Sequence, residues 1–288
     1  RTYTYEPLTG RLDSISYSGG RVESYTYDLG GQLTSISDSS TGQTVIRQYF
    51  ANGLLMSESQ LGQTITYSYD GNGNKLTTQM TGIGQWGYQY DAHNRLTQIT
   101  NPEDETTTFA YDAYDRRTQI SYSDGVTSDY GYDTSGRLAS VIHTGSDGST
   151  LIAGYTYAYD AQNNRVMVTD HNGNSINYTY DNTYKLLSAA YPDETISFTY
   201  DGVGNRLSRT DGNGTATYNY NAANQLTETT QADGAVISYT YDSNGNIQTQ
   251  SNSLTAEATA YTYNDKNQLV QFDQSSGTSI AYLYDPAG

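Results

Sequence analysis

The sequence contains no cysteine, and this absence excludes disulfide bridges and thiol chemistry. It also contains no apolar run near the roughly 20 residues that a helix needs to cross a bilayer. Only 14 residues are basic against 31 acidic residues, which gives a net charge of −17. Because binding to nucleic acid or to anionic membranes normally shows as a basic patch, we expect neither as a partner.

Apolar residues are also scarce, at 35% of the chain, and the aromatic residues include only one Trp and four Phe. The chain nevertheless contains 31 tyrosines. Tyrosine buries a large ring while its hydroxyl keeps a polar partner, so we expect the tyrosine rings to supply most of the packing surface. The composition therefore predicts a folded chain rather than a disordered one.

Fourteen tyrosines, which we call the anchor tyrosines, divide the chain into intervals of mostly 20 to 22 residues. Only the interval from Tyr132 to Tyr159, at 27 residues, is clearly longer. A period in this range is typical of repeat architectures, in which small units stack and no unit buries its apolar face alone. The anchors are Tyr5, Tyr27, Tyr49, Tyr69, Tyr90, Tyr111, Tyr132, Tyr159, Tyr180, Tyr200, Tyr220, Tyr241, Tyr263 and Tyr284.

Fixed positions accompany each anchor. The residue two before it is Tyr eleven times and the residue after it is Asp ten times. The fourth residue after it is Gly seven times, Asn four times and Asp once, at Asp115, with Thr9 and Tyr184 as exceptions. Tyr-x-Tyr places two rings on one face of a strand. Asp starts a turn, and Gly or Asn supplies the left-handed conformation that a short hairpin loop needs. Each repeat is therefore predicted to be a β-hairpin.

The second strand of many predicted hairpins begins with Gln, Arg or Lys and an apolar residue, as at Arg95-Leu96, and a second turn such as Asp124-Gly125 follows it. In the segment 95–99 the apolar residues Leu96 and Ile99 lie three apart, which places them on opposite faces of a regular strand. Two explanations stay open at this stage. Both faces are partly covered, or a β-bulge shifts the register.

Thirteen intervals of one hairpin each give about 26 strands, and at about 4.8 Å between strands a flat sheet would be about 125 Å wide. Twisted open sheets rarely exceed about ten strands without curling. We therefore predict an all-β fold in which tandem hairpins form one continuous antiparallel ribbon that curls into a hollow barrel-like spiral shell. No linker interrupts the period, so we expect a single domain over residues 1–288, taken from a longer chain. A filled fibre and, less easily excluded, a parallel β-helix are the alternatives.

The repeat resembles the YD repeats of bacterial Rhs and wall-associated proteins, of the cocoon-forming subunits of Tc toxins and of the teneurins. The resemblance covers essentially the whole chain, and it implies a hairpin ribbon that spirals into a hollow shell, often around a toxic C-terminal domain. The segment 284–288 also resembles the Asp-Pro-x-Gly element near the self-cleaving end of Rhs cores, but the expected leucine and partner aspartate are absent, and we interpret it as an ordinary turn. The clearest copies are Tyr90-Asp91-Ala92-His93-Asn94-Arg95-Leu96, Tyr132-Asp133-Thr134-Ser135-Gly136-Arg137-Leu138 and Tyr200-Asp201-Gly202-Val203-Gly204-Asn205-Arg206-Leu207.

No catalytic, cofactor or metal site is predicted, and we expect the chain not to be an enzyme. A catalytic carboxylate pair has no reason to recur ten times, so the aspartates are interpreted as turn residues. His93, His143 and His171 lack the spacing of metal ligands and are interpreted as solvated loop residues. The segments 70–74 and 242–246 begin like calcium loops but lack the later Gly and Glu ligand positions, and hairpin turns explain both without metal.

The leading functional hypothesis is a non-enzymatic scaffold of a secreted or cell-surface bacterial protein, which forms a shell around cargo or displays a flanking domain of the same polypeptide. The alternative is an extracellular fibre or adhesin whose open sheet edges pair between copies, with glycans as further partners.

The 133–156 insert is interpreted as a longer surface turn. Aromatic residues outside the repeat columns are the candidates for contacts: Tyr17, Trp86, Tyr114, Tyr122, Tyr155, Tyr184 and Tyr191.

Overall fold

The computed structural model describes residues 1–284, and in them it contains strands and turns but no helix. With no helix among the described residues, no helical span long and apolar enough to cross a membrane is found there. Two compact units are present, one containing residues 1–130 and 143–152 and the other containing residues 131–142 and 153–283.

The strands are short, and most of them have five to seven residues. In chain order the strands are β1 Thr2–Tyr5, β2 Leu12–Ser16, β3 Val22–Tyr27, β4 Leu33–Asp38, β5 Thr44–Tyr49, β6 Leu55–Gln60, β7 Gln63–Tyr69, β8 Lys75–Met80, β9 Gly84–Tyr90, β10 Leu96–Thr100, β11 Thr106–Tyr111, β12 Arg117–Tyr122, β13 Thr127–Tyr132, β14 Leu138–Thr144, β15 Leu151–Tyr159, β16 Arg165–Asp170, β17 Ser175–Tyr180, β18 Leu186–Ala190, β19 Thr195–Tyr200, β20 Arg206–Asp211, β21 Gly214–Tyr220, β22 Leu226–Thr230, β23 Val236–Tyr241, β24 Ile247–Asn252, β25 Ala258–Tyr263, β26 Leu269–Gln274 and β27 Ser279–Ala281.

Pairing follows chain order within each unit. In the first unit, strands β1 to β13 each pair antiparallel with the next. In the second unit, strands β15 to β27 do the same. The predicted all-β fold of tandem antiparallel hairpins is therefore confirmed.

A β-bulge resolves the spacing problem left open by the sequence. In the hairpin of β9 and β10, Leu96 lies opposite Tyr90 and Ile99 lies opposite Tyr88, while Thr97 is the extra residue. The bulge therefore brings both apolar residues onto the face that carries the two tyrosines. The same register shift occurs in the other hairpins that an anchor tyrosine closes, for example at Thr26/Tyr27 and Thr262/Tyr263.

In strands such as β25 the face that carries the tyrosines is half-buried and the opposite face is exposed, whereas β10 and β26 are half-buried on both faces. In β25, Thr259, Tyr261 and Tyr263 are half-buried whereas the alternate residues are exposed. Few described apolar side chains are fully buried, among them Ile36 and Val45, at 6% and 2% exposure. The tyrosine rings thus form a packing layer, as predicted, but one that stays partly open along the strands.

The hydroxyl groups of the anchor tyrosines tie neighbouring repeats together. At least eight of them donate to the backbone carbonyl of the sixth residue after the preceding anchor, as Tyr111 does to Leu96 at 2.8 Å. Since this carbonyl belongs to the preceding hairpin, the bond crosses the joint between repeats. The same bond is made by Tyr49, Tyr69, Tyr159, Tyr180, Tyr200, Tyr220 and Tyr241.

Hydroxyl pairs cover part of the opposite face. The residue between the two tyrosines is often Thr or Ser, and its hydroxyl bonds a Ser or Thr hydroxyl across the hairpin. Thr199 and Ser208 lie 2.6 Å apart in this way, as do Thr240 and Thr249. Cross-strand hydroxyl pairs of this kind add modestly to sheet stability. They give the exposed face a polar surface whose hydroxyls are already partnered.

We expect Tyr111→Phe to lower the free energy of unfolding by about 1 kcal/mol, because it removes one hydrogen bond and keeps the ring. Urea denaturation of the 288-residue chain, with amide exchange of the β10 and β11 strands, measures the change. Tyr114→Phe is the matched control, since the Tyr114 ring is 80% exposed. Equal effects of the two substitutions would contradict a role for the Tyr111 hydroxyl.

Candidate functional site

Most turns that follow an anchor tyrosine are built around one side-chain oxygen, although the turn at Phe50 has none at that position. Asp70 Oδ1 accepts the backbone N–H groups of Asn72 and Asn74, each at 2.9 Å. The backbone N–H of Gly73 donates to the Asp70 carbonyl at 3.1 Å, which closes the turn. Asp91, Asp112, Asp133, Asp160, Asp181, Asp201 and Asp242 accept the same pair of N–H groups, and Asn221 and Asn264 do so with their amide oxygens.

The third residue after this Asp or Asn has a positive φ, as the sequence predicts for Gly and Asn there. Gly73 has φ 86° and Asn94 has φ 60°. The sequence exception Tyr184 adopts the same conformation, with φ 65°, and therefore carries backbone strain. The turn of the first repeat is one residue longer than the others, so its left-handed residue is Gly10, with φ 68°, and not Thr9.

Hydrogen bonds lower the pKa values of these turn aspartates below the ordinary value. For Asp70 the largest cause is the side-chain amide of Asn74, and backbone N–H groups add to it. For Asp91 the backbone N–H of Arg95 leads, and for Asp201 the opposing effect of burial is outweighed by donors from Asn205 and its neighbours. The aspartates are therefore anions at neutral pH.

In several repeats the residue that follows the left-handed position bridges to the next turn along the same edge. Asn74 Nδ2 donates to Asn94 Oδ1 at 2.7 Å, and Asn205 Nδ2 donates to Asn224 Oδ1 at 3.0 Å. We call this series of bridges the turn ladder. The sequence shows a recurring polar residue here, but nothing in its spacing indicates that it reaches the following repeat.

Arginine makes the most extensive bridge. Arg95 donates from Nε to Asp91 Oδ2 at 2.7 Å and from Nη1 to Asp115 Oδ1 at 2.8 Å. Its guanidinium also lies over the ring of Tyr111, 4.9 Å from the ring centroid. One side chain thus joins two turns and the next anchor tyrosine through charge-assisted hydrogen bonds and a cation–π contact.

One of the steps at which the turn ladder is interrupted lies between the Asp160 and Asp181 turns. Asn164 Nδ2 donates to Asp160 Oδ2 at 2.9 Å, and among the described residues its side chain makes no bond to the following turn. The residue at the receiving position is Tyr184, which has no amide or carboxylate oxygen to accept. A concavity of about 350 Å³ lies at this step, and its lining includes Asp160, Asn164, Tyr180, Asp181 and Tyr184. We call it the 160–184 concavity.

A cluster of polar side chains around Glu23 is buried in the first unit, where no site is predicted from the sequence. Glu23 is fully buried and accepts the hydroxyls of Tyr17 and Tyr25 at 2.8 and 3.0 Å. Arg21 forms ion pairs with both Glu23 and Asp38. Glu23 lies four residues before the anchor Tyr27, and the equivalent residue in the next hairpin is the buried Val45. A charged residue at a position that is apolar in the next repeat is the feature of the sequence that could have indicated this cluster.

The two tyrosines of this buried cluster hold their hydroxyl protons firmly. Burial and the hydrogen bond to Glu23 raise the pKa of Tyr17 to about 12, and they also raise the pKa of Tyr25. Burial opposes ionisation of Asp38, but hydrogen bonds from Ser40 and Arg21 lower its pKa overall. Because Glu23 has no exposed surface, its carboxylate can stabilise the surrounding hairpins but cannot contact a ligand in this arrangement.

The histidine predictions need one correction. His93 and His171 lie in exposed turns as predicted, but His143 is half-buried in β14, with its Nδ1 2.8 Å from Ser128 Oγ. The interpretation of His143 as a solvated loop residue is therefore wrong. In the portion of the chain that the structure describes, no group of three or more His, Cys, Asp or Glu side chains could hold a metal ion.

The other candidates divide by exposure. Tyr17, at 6% exposure, is buried, so its prediction as a contact residue is wrong, and Trp86 is half-buried in β9. Tyr114 and Tyr184 are well exposed, at 80% and 61%. The 133–156 insert is only in part the surface turn that was predicted, because residues 138–144 and 151–156 belong to β14 and β15 and the exposed turn is confined to residues 146–150. The Asp-Pro-x-Gly turn at 285–288 lies outside the described residues. Tyr122, Tyr155 and Tyr191 are exposed to 44%, 39% and 37%.

Acid should destabilise the fold. The turn aspartates have lowered pKa values in the folded state, so the unfolded chain binds more protons as the pH falls below about 5. Their stabilising effect is complete above that pH and is lost progressively as the pH falls through about 4 and below. Urea midpoints at pH 7, 5 and 3 measure it.

A multiple Asp→Asn variant of these turns is the control for the acid effect. Asn221 Oδ1 accepts the N–H groups of Ala223 and Gln225 at 2.9 and 3.0 Å, so Asn preserves the turn while removing the titration. The variant should show a flatter decline between pH 5 and pH 3. An unchanged decline would assign the acid sensitivity to other carboxylates.

Tyr184→Gly should raise the free energy of unfolding by up to about 1 kcal/mol, because Gly adopts the left-handed conformation without strain. Asn182→Gly is the matched control in the same turn, since Asn182 has no positive φ. The control should be neutral or destabilising, because it only adds freedom to the unfolded chain. Chemical denaturation of both variants gives the comparison, and stabilisation by the control alone would contradict strain at Tyr184.

Two family models match the sequence. The RHS Repeat model matches residues 90–127 and 132–173. The Teneurin YD-shell model matches residues 161–288. A comparison with curated proteins found no significant match.

Solved structures show the same fold at low sequence identity. TcdB2-TccC3-TEV matches with a TM-score of 0.61 and 14% identity over 98% of this chain and 20% of that chain. TcdB2-TccC3-Cdc42 matches with a TM-score of 0.55 and 15% identity over 96% and 21%. A Tc holotoxin pore of Photorhabdus luminescens matches with a TM-score of 0.53 and 14% identity over 95% and 19%. This chain thus spans about one fifth of the solved chains that it matches. The chain is a YD-repeat protein of the Rhs and teneurin type, and its hairpins form a structural scaffold of the YD-shell kind.

Proposed function

We propose that this chain is a non-enzymatic section of wall in a secreted or cell-surface YD-repeat protein, and that the wall encloses or displays another domain of the same polypeptide. The observation that carries the proposal is the use of the repeated polar residues. The turn aspartates accept backbone N–H groups, the ladder residues bond the next turn, and the anchor hydroxyls bond the preceding hairpin. The most frequent polar residues are thus used to build the turns and to join repeats.

The comparisons support enclosure or display. Two of the matched structures carry a further component in their names after TcdB2-TccC3, and a third is a holotoxin pore. Because this chain spans about one fifth of those chains, a wall built from it needs further sequence to surround a domain. The same likeness supports a secreted or surface location, and the high negative charge suits an exterior surface.

The alternative of a fibre or adhesin stays a prediction. It requires the terminal strands of the described ribbon, β1 and β27, to pair with other copies. Both are short, with four and three residues. No contact of the described residues favours self-association over enclosure.

Protease protection of the natural full-length polypeptide tests the proposal, with imaging of the same sample. We expect discrete particles with internal density, and a protected segment that becomes cleavable at pH 3, where the turns lose their anionic aspartates. Long polymers would contradict enclosure and would support the fibre instead. A hydrolytic activity that one acidic substitution in this chain abolishes would contradict the non-enzymatic assignment.

A further inference from the structure

Two steps of the turn ladder show how this edge binds a guanidinium group. Arg137 repeats the geometry of Arg95, donating from Nε to Asp133 Oδ2 at 2.7 Å and from Nη1 to the Asp160 carbonyl at 3.0 Å. Its guanidinium lies 4.7 Å from the ring centroid of Tyr159. The site therefore consists of a turn carboxylate, the carbonyl of the next turn aspartate and the ring of the next anchor tyrosine.

The same three groups are present at the interrupted step, but no arginine occupies the space between them. Asp160 supplies the carboxylate, Asp181 the next turn carbonyl and Tyr180 the anchor ring, and all three line the 160–184 concavity. The position that Arg95 and Arg137 hold in their own repeats is taken by Asn164. Its shorter side chain ends at Asp160 Oδ2.

We propose that the 160–184 concavity binds an arginine side chain from a partner polypeptide. The guanidinium donates to the Asp160 carboxylate and to the Asp181 carbonyl, and it stacks on Tyr180. Tyr184, which is 61% exposed at the receiving side of the step, adds a second ring to the site. The inference does not depend on whether the chain encloses a domain.

The charge distribution favours this occupant. Lys185 Nζ lies 3.9 Å from Asp181 Oδ2, and Arg137 is paired with Asp133, so neither forms an ion pair with the Asp160 carboxylate. Among the described residues Asp160 has no ion-pair partner, although amide donors led by Asn164 keep its pKa low. The chain as a whole carries a net charge of −17, which attracts basic partners.

Arginine fits this geometry better than lysine does. A planar guanidinium presents several N–H groups in fixed directions and stacks on an aromatic ring, so it can bond the carboxylate and the next carbonyl at once. An ammonium is a single strongly hydrated point charge. Arg95 and Arg137 show that the spacing between successive turns suits the guanidinium.

Titration of the 288-residue chain with acetyl-Gly-Arg-Gly-amide, followed by amide resonances, tests the proposal. We expect saturable shifts confined to the Asp160 and Asp181 turns, and binding about tenfold weaker for acetyl-Gly-Lys-Gly-amide, which corresponds to loss of one charge-assisted bond. Shifts scattered over the acidic surface with equal affinity for both peptides, or no saturable shift, would overturn it.

Two variants separate the site from general attraction. Asn164→Arg should fill the concavity from within, abolish peptide binding and raise the thermal midpoint, as the Arg95 bridge predicts. Peptide binding that survives in a folded Asn164→Arg chain would refute the proposal. Arg95→Ala should open a second site at the Asp91 and Asp112 turns and produce a second set of shifts there.

Discussion

The acceptance of two backbone N–H groups by one turn oxygen is the interaction on which the rest of the structure depends. In the Asp70 turn this oxygen fixes the loop at the same length as in the Asp242 turn far along the chain. A loop of constant length sets the register of the strands that leave it. The bulge then occurs at the same place in each hairpin, and the tyrosines meet apolar partners across the strand pair.

Contacts between repeats follow from this constant register. Where an anchor tyrosine emerges at the same height above its turn as its counterparts do, its hydroxyl meets the equivalent carbonyl of the preceding hairpin, as in the Tyr111 and Tyr200 repeats. The ladder residue meets the following turn for the same reason. Each repeat is thus bonded to its two neighbours, which is the arrangement that makes the stability of repeat proteins approximately a sum of nearest-neighbour terms.

Much of the fold could be predicted because its determinants are local. The Tyr-x-Tyr-Asp segment and the left-handed position specify a strand and a turn within a few residues, and both were predicted. The bulge could be proposed from the spacing of Leu96 and Ile99 but not chosen, because its register depends on the partner strand. The ladder, the buried Glu23 cluster and the strand position of His143 were missed, since each depends on residues that are 15 or more apart, or on a single departure from the repeat.

The two turn edges of the ribbon differ in how much length they accept. Turns after the anchors keep nearly one length, whereas the opposite turns range from the two-residue loop at Leu61-Gly62 to the longer loop between β14 and β15. The 27-residue interval is absorbed by that longer loop and by the strands that flank it, β14 with seven and β15 with nine residues. Foreign loops grafted into residues 146–149 would therefore leave the turn ladder in register, which makes this edge the natural place to display added sequence on the scaffold.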